Sequence, residues 1–186
     1  MRVVNLVFGN HPRYAGPVVV AHVCFDYPHF MDFDKVLHLI REMNREGVDY
    51  ITFGAVALNL HGIVRATTDA DFFIKPNRDN IERLKRALRN VWNDPQIEEI
   101  TADDLLGDYP SITYGPPEES FAIDLLTRLG EVYSFDNLQS EVIEIEGIPV
   151  RVVTAAKLYE MKRNTVRLKD KADCLALNEK FHFEDS

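Results

Sequence analysis

The sequence predicts one domain of the α+β class, on three observations. Segments with helical spacing of apolar residues are interspersed with short β-type runs. Two such runs meet at a tight Glu146-Gly147 turn. The 186 residues are 46% apolar and 27% charged, the proportions of an ordinary globular chain. A chain of this length buries roughly 70% of the surface it exposes when unfolded, so it needs no staples to fold.

Residues 1–30 read as an N-terminal extension and residues 31–186 as the main domain. In the extension, Val3–Phe8 and Val18–Phe25 are β-type runs around Pro12, Gly16 and Pro17, which predicts an extra hairpin. Alternatively Met31 is the natural start, because the organised pattern begins there. Asp34 is an expected N-cap, followed by Val36, Leu37, Ile40 and Met43 at helical spacing up to Gly47. Val48–Phe53 reads as a buried strand, Ala55–His61 as a short helix, and Thr67–Ile74 as a second strand. Asn77–Asp79 cap an amphipathic helix whose buried stripe is Ile81, Leu84, Leu88 and Val91. Asp103–Pro110 reads as a loop, Ser111–Tyr114 and Phe121–Thr127 as paired strands, and Val142–Ile145 with Ile148–Val153 as a hairpin. Thr154 caps a helix to about Arg163, and a last helix covers about Leu168–Lys180.

Cys24 and Cys174 lie far apart with no metal-ligand spacing, as expected of a chain kept in a reducing, cytoplasmic compartment. Neither a signal peptide nor the ~20-residue apolar run of a membrane span is recognisable. A net charge of −9 argues against a surface that coats nucleic acid. The charge is uneven, however. Residues 151–171 hold seven Lys and Arg against two acids, leaving 14 basic and 28 acidic residues elsewhere. Such a segment is either a solvated helix face or a local receiver of phosphate.

The chemistry-bearing stretch runs from Gly54 to Ile74. Residues two apart on a strand face the same side, so Asp69 and Asp71 project together while Ala70 and Phe72 face away. Two carboxylates held that close repel unless a cation lies between them. Hard divalent cations favour carboxylate oxygens and can orient a nucleoside triphosphate. Gly54-Ala55 stands at a strand-to-helix turn, where free backbone amides suit a phosphate. Asp124 is a lone charge in the apolar run Phe121–Leu126, either the third acid of a cluster or an acid at the exposed end of an edge strand. Arg65 and Thr67 are candidates to contact phosphate or to brace the loop before the acids. Lys157, Lys162 and Lys169 are candidates for the triphosphate or an acceptor, and His61 reads as a helix-end residue.

Together these residues resemble the nucleotidyltransferase superfamily that shares its fold with DNA polymerase β, and more narrowly its AbiEii-type and small bacterial members. The superfamily's Gly turn, Asp-hydrophobic-Asp-hydrophobic strand and later lone Asp are matched by Gly54-Ala55, Asp69-Ala70-Asp71-Phe72 and Ile123-Asp124-Leu125. The subgroup's Arg-x-Thr-x-Asp is matched at Arg65 to Asp69, and its late Lys and Lys-Asp-x-x-Asp helix at Lys157 and Lys169 to Asp173. Ala55 departs from the usual second Gly or Ser. The resemblance implies the nucleotidyltransferase fold, a small mixed β-sheet flanked by helices. It also implies magnesium (or manganese) as cofactor, and an NTP, ATP among them, as substrate. Gly54, Ala55, Arg65, Thr67 and Lys157 would bind the nucleotide. Asp69 and Asp71 would hold metal, and Asp124 would assist them or act as base. The acceptor hydroxyl would lie on an RNA end, a partner protein or a small molecule. The competing readings are a partner-binding component of a toxin–antitoxin pair and a metal-dependent phosphohydrolase.

Overall fold

The computed structural model describes residues 7–9, 18–20, 31–108 and 110–183. In the extension, β1 (Val7–Gly9) and β2 (Val18–Val20) pair antiparallel, with Val7 opposite Val20. The remainder of the expected hairpin, with Cys24, lies outside the described residues.

From residue 31 the order is α1 (Phe33–Glu46), β3 (Tyr50–Phe53), α2 (Gly54–Leu60), β4 (Asp69–Ile74), α3 (Arg78–Val91), α4 (Ala102–Leu106), β5 (Ser111–Tyr114) and β6 (Ala122–Leu126). There follow β7 (Arg128–Leu129), β8 (Tyr133–Ser134), β9 (Ser140–Ile145), β10 (Ile148–Val153), α5 (Ala155–Arg163) and α6 (Leu168–Phe181). Six strands form one mixed sheet in the order β5-β6-β4-β3-β10-β9. The β4–β6 and β3–β10 pairs are parallel and the other three are antiparallel. This is the α+β architecture expected, a mixed sheet with helices on both faces.

Two apolar layers follow from the alternation of the strands. Val36, Leu39, Ile40 and Met43 of α1 and Ile81, Leu84 and Leu88 of α3 bury the face that presents Ala70, Phe72, Ile123 and Leu125. Ala57 and Leu58 of α2, Leu158 of α5 and Leu177 of α6 bury the other, which presents Ile51, Phe53, Phe73 and Val152. Local chemistry fixes the ends. Asp32, not Asp34, caps α1: its carboxylate accepts from the N–H groups of Asp34 (3.1 Å) and Lys35 (3.3 Å). Asp34 falls in the first turn, where its charge meets the positive end of the helix dipole. Gly47 closes the helix at φ 69°, a conformation glycine adopts without strain. Asn77 caps α3 and Thr154 caps α5, as expected. A short 3-10 turn (Pro95–Glu99) follows α3, and α4, capped by Thr101, takes up the first residues of the Asp103–Pro110 stretch expected to be a loop.

Candidate active site

Asp69 and Asp71 lie on β4, on the face opposite the buried Ala70 and Phe72. In the parallel β4–β6 pair, Asp71 stands directly across from Asp124. Asp124 alternates with the buried Ile123 and Leu125, so the three acids share one sheet face. The strand bearing Asp124 is not an edge: β5 covers it, and Thr113 is the residue opposite. The Thr113 Oγ1 donates to Asp124 Oδ1 at 2.6 Å.

The turn at Gly54 seats Asp71. Gly54 has φ +66°, and a Cβ built there would stand 2.7 Å from Asp71 Cγ, inside its carboxyl group. The next backbone amide, of Ala55, hydrogen-bonds the Asp71 carboxylate. The departure from a second Gly or Ser therefore leaves this contact intact, because it belongs to the backbone. Burial, then the charge of Asp124 and then that of Asp69, push the Asp71 carboxyl up to about 7; Lys162 and the Ala55 amide offset this only in part. The site thus carries negative charge that the protein itself does not neutralise.

Helices α5 and α6 supply the facing charges. Asp170 Oδ1 and Asp173 Oδ2 hold the Lys162 ammonium at 2.7 and 2.9 Å. Burial alone would depress the Lys162 pKa, but its two carboxylate hydrogen bonds hold it above the usual value. Arg65 Nε reaches the same Asp173 at 3.0 Å, and Thr165 Oγ1 donates to Asp170 at 2.8 Å. Arg65 is held from below as well: Asn59 accepts from its backbone N–H (2.8 Å) and donates to its carbonyl (2.9 Å). Thr67 braces the loop, its hydroxyl accepting from the Asp69 N–H (3.2 Å) and donating to the Asp69 carbonyl (3.1 Å).

Apart from Asn59 and Thr113, which support it from behind, these residues line one cleft of about 820 Å³, within the range of ligand sites. It gathers Gly54, Ala55, Arg65, Thr67, Asp69, Asp71 and Asp124. Lys157 is not among its lining residues; that side chain pairs with Glu160 at 2.6 Å. Lys162 and Lys169, the other two lysine candidates, do line it, together with Arg167. Lys169 and Arg167 make no ion pair within 4 Å among the described residues. His61 caps α2 and its Nε2 lies 2.8 Å from the Val153 carbonyl, so the ring is satisfied inside the fold rather than offered to a ligand. The sequence reading missed Thr113 and the β7–β8 hairpin, which overhangs the cleft with Leu129, Val132 and Tyr133. Thr113 is found only through strand register, which no local pattern encodes.

The donor set fits a hard divalent cation in chemistry, being carboxylate oxygen throughout. Among the described residues, no three His, Cys, Asp or Glu side chains form a ready-made cage. Magnesium does not require one, because it is usually bound by one or two carboxylates, with substrate phosphates and water completing its octahedron. Asp71 and Asp124, with Asp69 beside them, meet that smaller requirement.

A nucleotidyltransferase-like protein from Paracoccidioides brasiliensis has a similar fold, at 13% identity over 81% of this chain and 78% of its own, with a TM-score of 0.51. A candidate nucleotidyltransferase from Thermotoga maritima matches over 81% of this chain and 97% of its own, at 15% identity and a TM-score of 0.47. An ANT(2″)-Ia in complex with adenylyl-2″-tobramycin matches over 80% and 89% respectively, at 12% identity and a TM-score of 0.47. No protein-family model and no curated sequence matches the chain. The first of these structures shows the fold to be of the nucleotidyltransferase type. Among the described residues, no helix is long and apolar enough to cross a membrane.

Proposed function

We propose that the chain transfers a nucleoside monophosphate from an NTP to a hydroxyl acceptor with magnesium or manganese, releasing pyrophosphate. The observation that carries this reading is the Asp71–Asp124 register pair, with Asp69 on the same face, in a cleft large enough for a nucleotide. Held carboxylates that repel one another are costly unless a cation or its complex is the intended occupant. Asp69 and Asp71 would hold the metal, which when bound supplies charge to neutralise the triphosphate and stabilise the attacking and leaving oxygens. Asp124 would assist that grip or take the proton from the acceptor hydroxyl as its oxygen attacks the α-phosphorus and the bond to pyrophosphate breaks. Arg167 and Lys169 at the cleft wall are available to meet phosphate oxygens. The acceptor belongs to an RNA end, a protein or a small molecule.

The test is incubation with α-labelled NTPs, magnesium and acceptors of each class. Label transfer with pyrophosphate release is expected. Release of orthophosphate instead would support the phosphohydrolase reading. No transfer to any acceptor, with Asp69→Ala binding NTP as well as wild type, would overturn the assignment.

Thr113 yields a finer prediction. Its hydroxyl fixes one oxygen of Asp124, so Thr113→Val should lower kcat about tenfold with KM for NTP unchanged, the scale of one lost charge-assisted hydrogen bond. Thr113→Ser, which keeps the donor, should stay within about threefold of wild type. Steady-state kinetics on both variants separates this from a stability effect, since Thr113 is exposed and both variants should melt with wild type.

A second reading, a partner-binding component of a toxin–antitoxin pair, is favoured by one feature. Val166, Leu168 and Leu175 are 91%, 81% and 74% exposed at and along α6, an apolar flank suited to a protein partner. A chain that is monomeric and sufficient for transfer by itself would remove this reading.

A further inference from the structure

The cleft has a second wall that the acid chemistry leaves unused. To the same cleft that holds the carboxylates, the β7–β8 hairpin contributes Leu129, Val132 and Tyr133, and α5 contributes Leu158 and Met161. Leu129 and Val132 line the cleft and are 41% and 63% exposed, so apolar surface there is left uncovered by the protein itself. Leu158 is buried beneath and gives the wall a fixed base, and Phe135, which directly follows β8, anchors the hairpin in the same apolar layer. One cleft therefore combines charges and backbone amides with aliphatic, thioether and aromatic groups.

We infer that this apolar wall is the nucleobase subsite, and that it takes the four common bases without strong preference. The inference rests on the nucleotidyltransferase reading above. An NTP has the same polarity as the cleft: a polyanionic tail and a flat base with apolar faces. Stacking on an aromatic ring tolerates any base, because every base has a π-face. Methionine adapts to different outlines through its flexible, polarisable side chain. Base selection, by contrast, needs hydrogen-bonding groups aimed at the base edge, and these are what yield large discrimination. Of the five wall side chains only Tyr133 carries such a group. The wall grips a base by its faces and reads little of its edge.

The test measures equilibrium binding of the four α,β-methylene NTP analogues in magnesium, with inorganic tripolyphosphate as a probe of the phosphate end alone. Wild type should bind all four analogues within about fivefold of one another. Tyr133→Ala should weaken all four about tenfold and leave tripolyphosphate unchanged, whereas Tyr133→Phe, which keeps the ring, should match wild type. Val132→Ala, at an exposed position that does not endanger folding, should weaken the analogues about threefold. The inference is overturned if both alanine variants bind the analogues as wild type does, including the case in which they raise only the KM for the acceptor. It is also overturned if one base is favoured more than about fiftyfold. If wild type binds neither analogues nor tripolyphosphate, the parent reading fails as well, and the tripolyphosphate arm distinguishes that outcome.

Discussion

Asp71→Asn is expected to reduce nucleotide transfer by roughly a thousandfold, the scale of removing one group that stabilises transition-state charge, while making the metal-free protein more stable at neutral pH. The two effects share a cause. In the folded chain, burial and the charges of Asp124 and Asp69 raise the Asp71 carboxyl from an ordinary 3.8 to about 7. The native state therefore binds this proton more tightly than the unfolded state does. The stability linked to it is fully present below about pH 4 and is lost as pH rises through about 7. A shift of that size is worth up to about 4 kcal/mol. Asparagine has the same shape, still accepts from the Ala55 amide and carries no charge. At pH 8 in EDTA, Asp71→Asn should melt roughly 5–10 °C above wild type, and at pH 4 the two should coincide. Thermal melts at both pH values check this; a variant that melts below wild type at pH 8 would refute it. Magnesium with a nucleotide should then stabilise wild type and not the variant.

Gly54→Ala should damage both fold and site. At φ +66° an alanine is strained by about 1–2 kcal/mol, and its Cβ would occupy the space of the Asp71 carboxyl group. To make room, the Asp71 carboxyl would have to turn away from the position it holds opposite Asp124. Overpacking of this kind adds about 1–3 kcal/mol, so the melting temperature should fall by roughly 10 °C. Transfer by the fraction still folded should fall at least a hundredfold, since the acid is displaced by the methyl group. A substitution at Gly147, which also has positive φ but nothing within 4 Å, provides the control. It should show the strain without the loss of activity. Circular dichroism melts with activity at a permissive temperature separate the two contributions.

Local pattern in the sequence was enough to find the two β4 acids, because a period of two is a property of the strand itself. It also found Asp124, since one charge in an apolar run is conspicuous, but it left open whether that strand was an edge. Its pairing with β5 is legible, but its central place also needs the parallel pairing with β4 across α3, α4 and β5, which no neighbouring residue announces. The Gly54 turn was legible as a turn, yet its visible task, pressing on Asp71, arises from β3–β4 register. The family resemblance points to Lys157, whereas only the packing of α6 against α5 shows that it is the Lys162 ammonium that meets Asp170 and Asp173. Caps are legible to within two residues: Asn77 and Thr154 stand where expected, while the α1 cap is Asp32, two residues before the expected Asp34, because an Asp suits either the cap or the first turn.

The parallel neighbours β4 and β6 are separated in the chain by α3, α4 and β5. Their two facing aspartates therefore meet only when that whole excursion has returned to the sheet. A half-assembled chain is spared the repulsion between them, and collapse of the early elements proceeds without it. The same logic reversed makes this seam the place where the native protein first gains by opening, so backbone amides of β6 should exchange with solvent sooner than those of β3 when no cation is present.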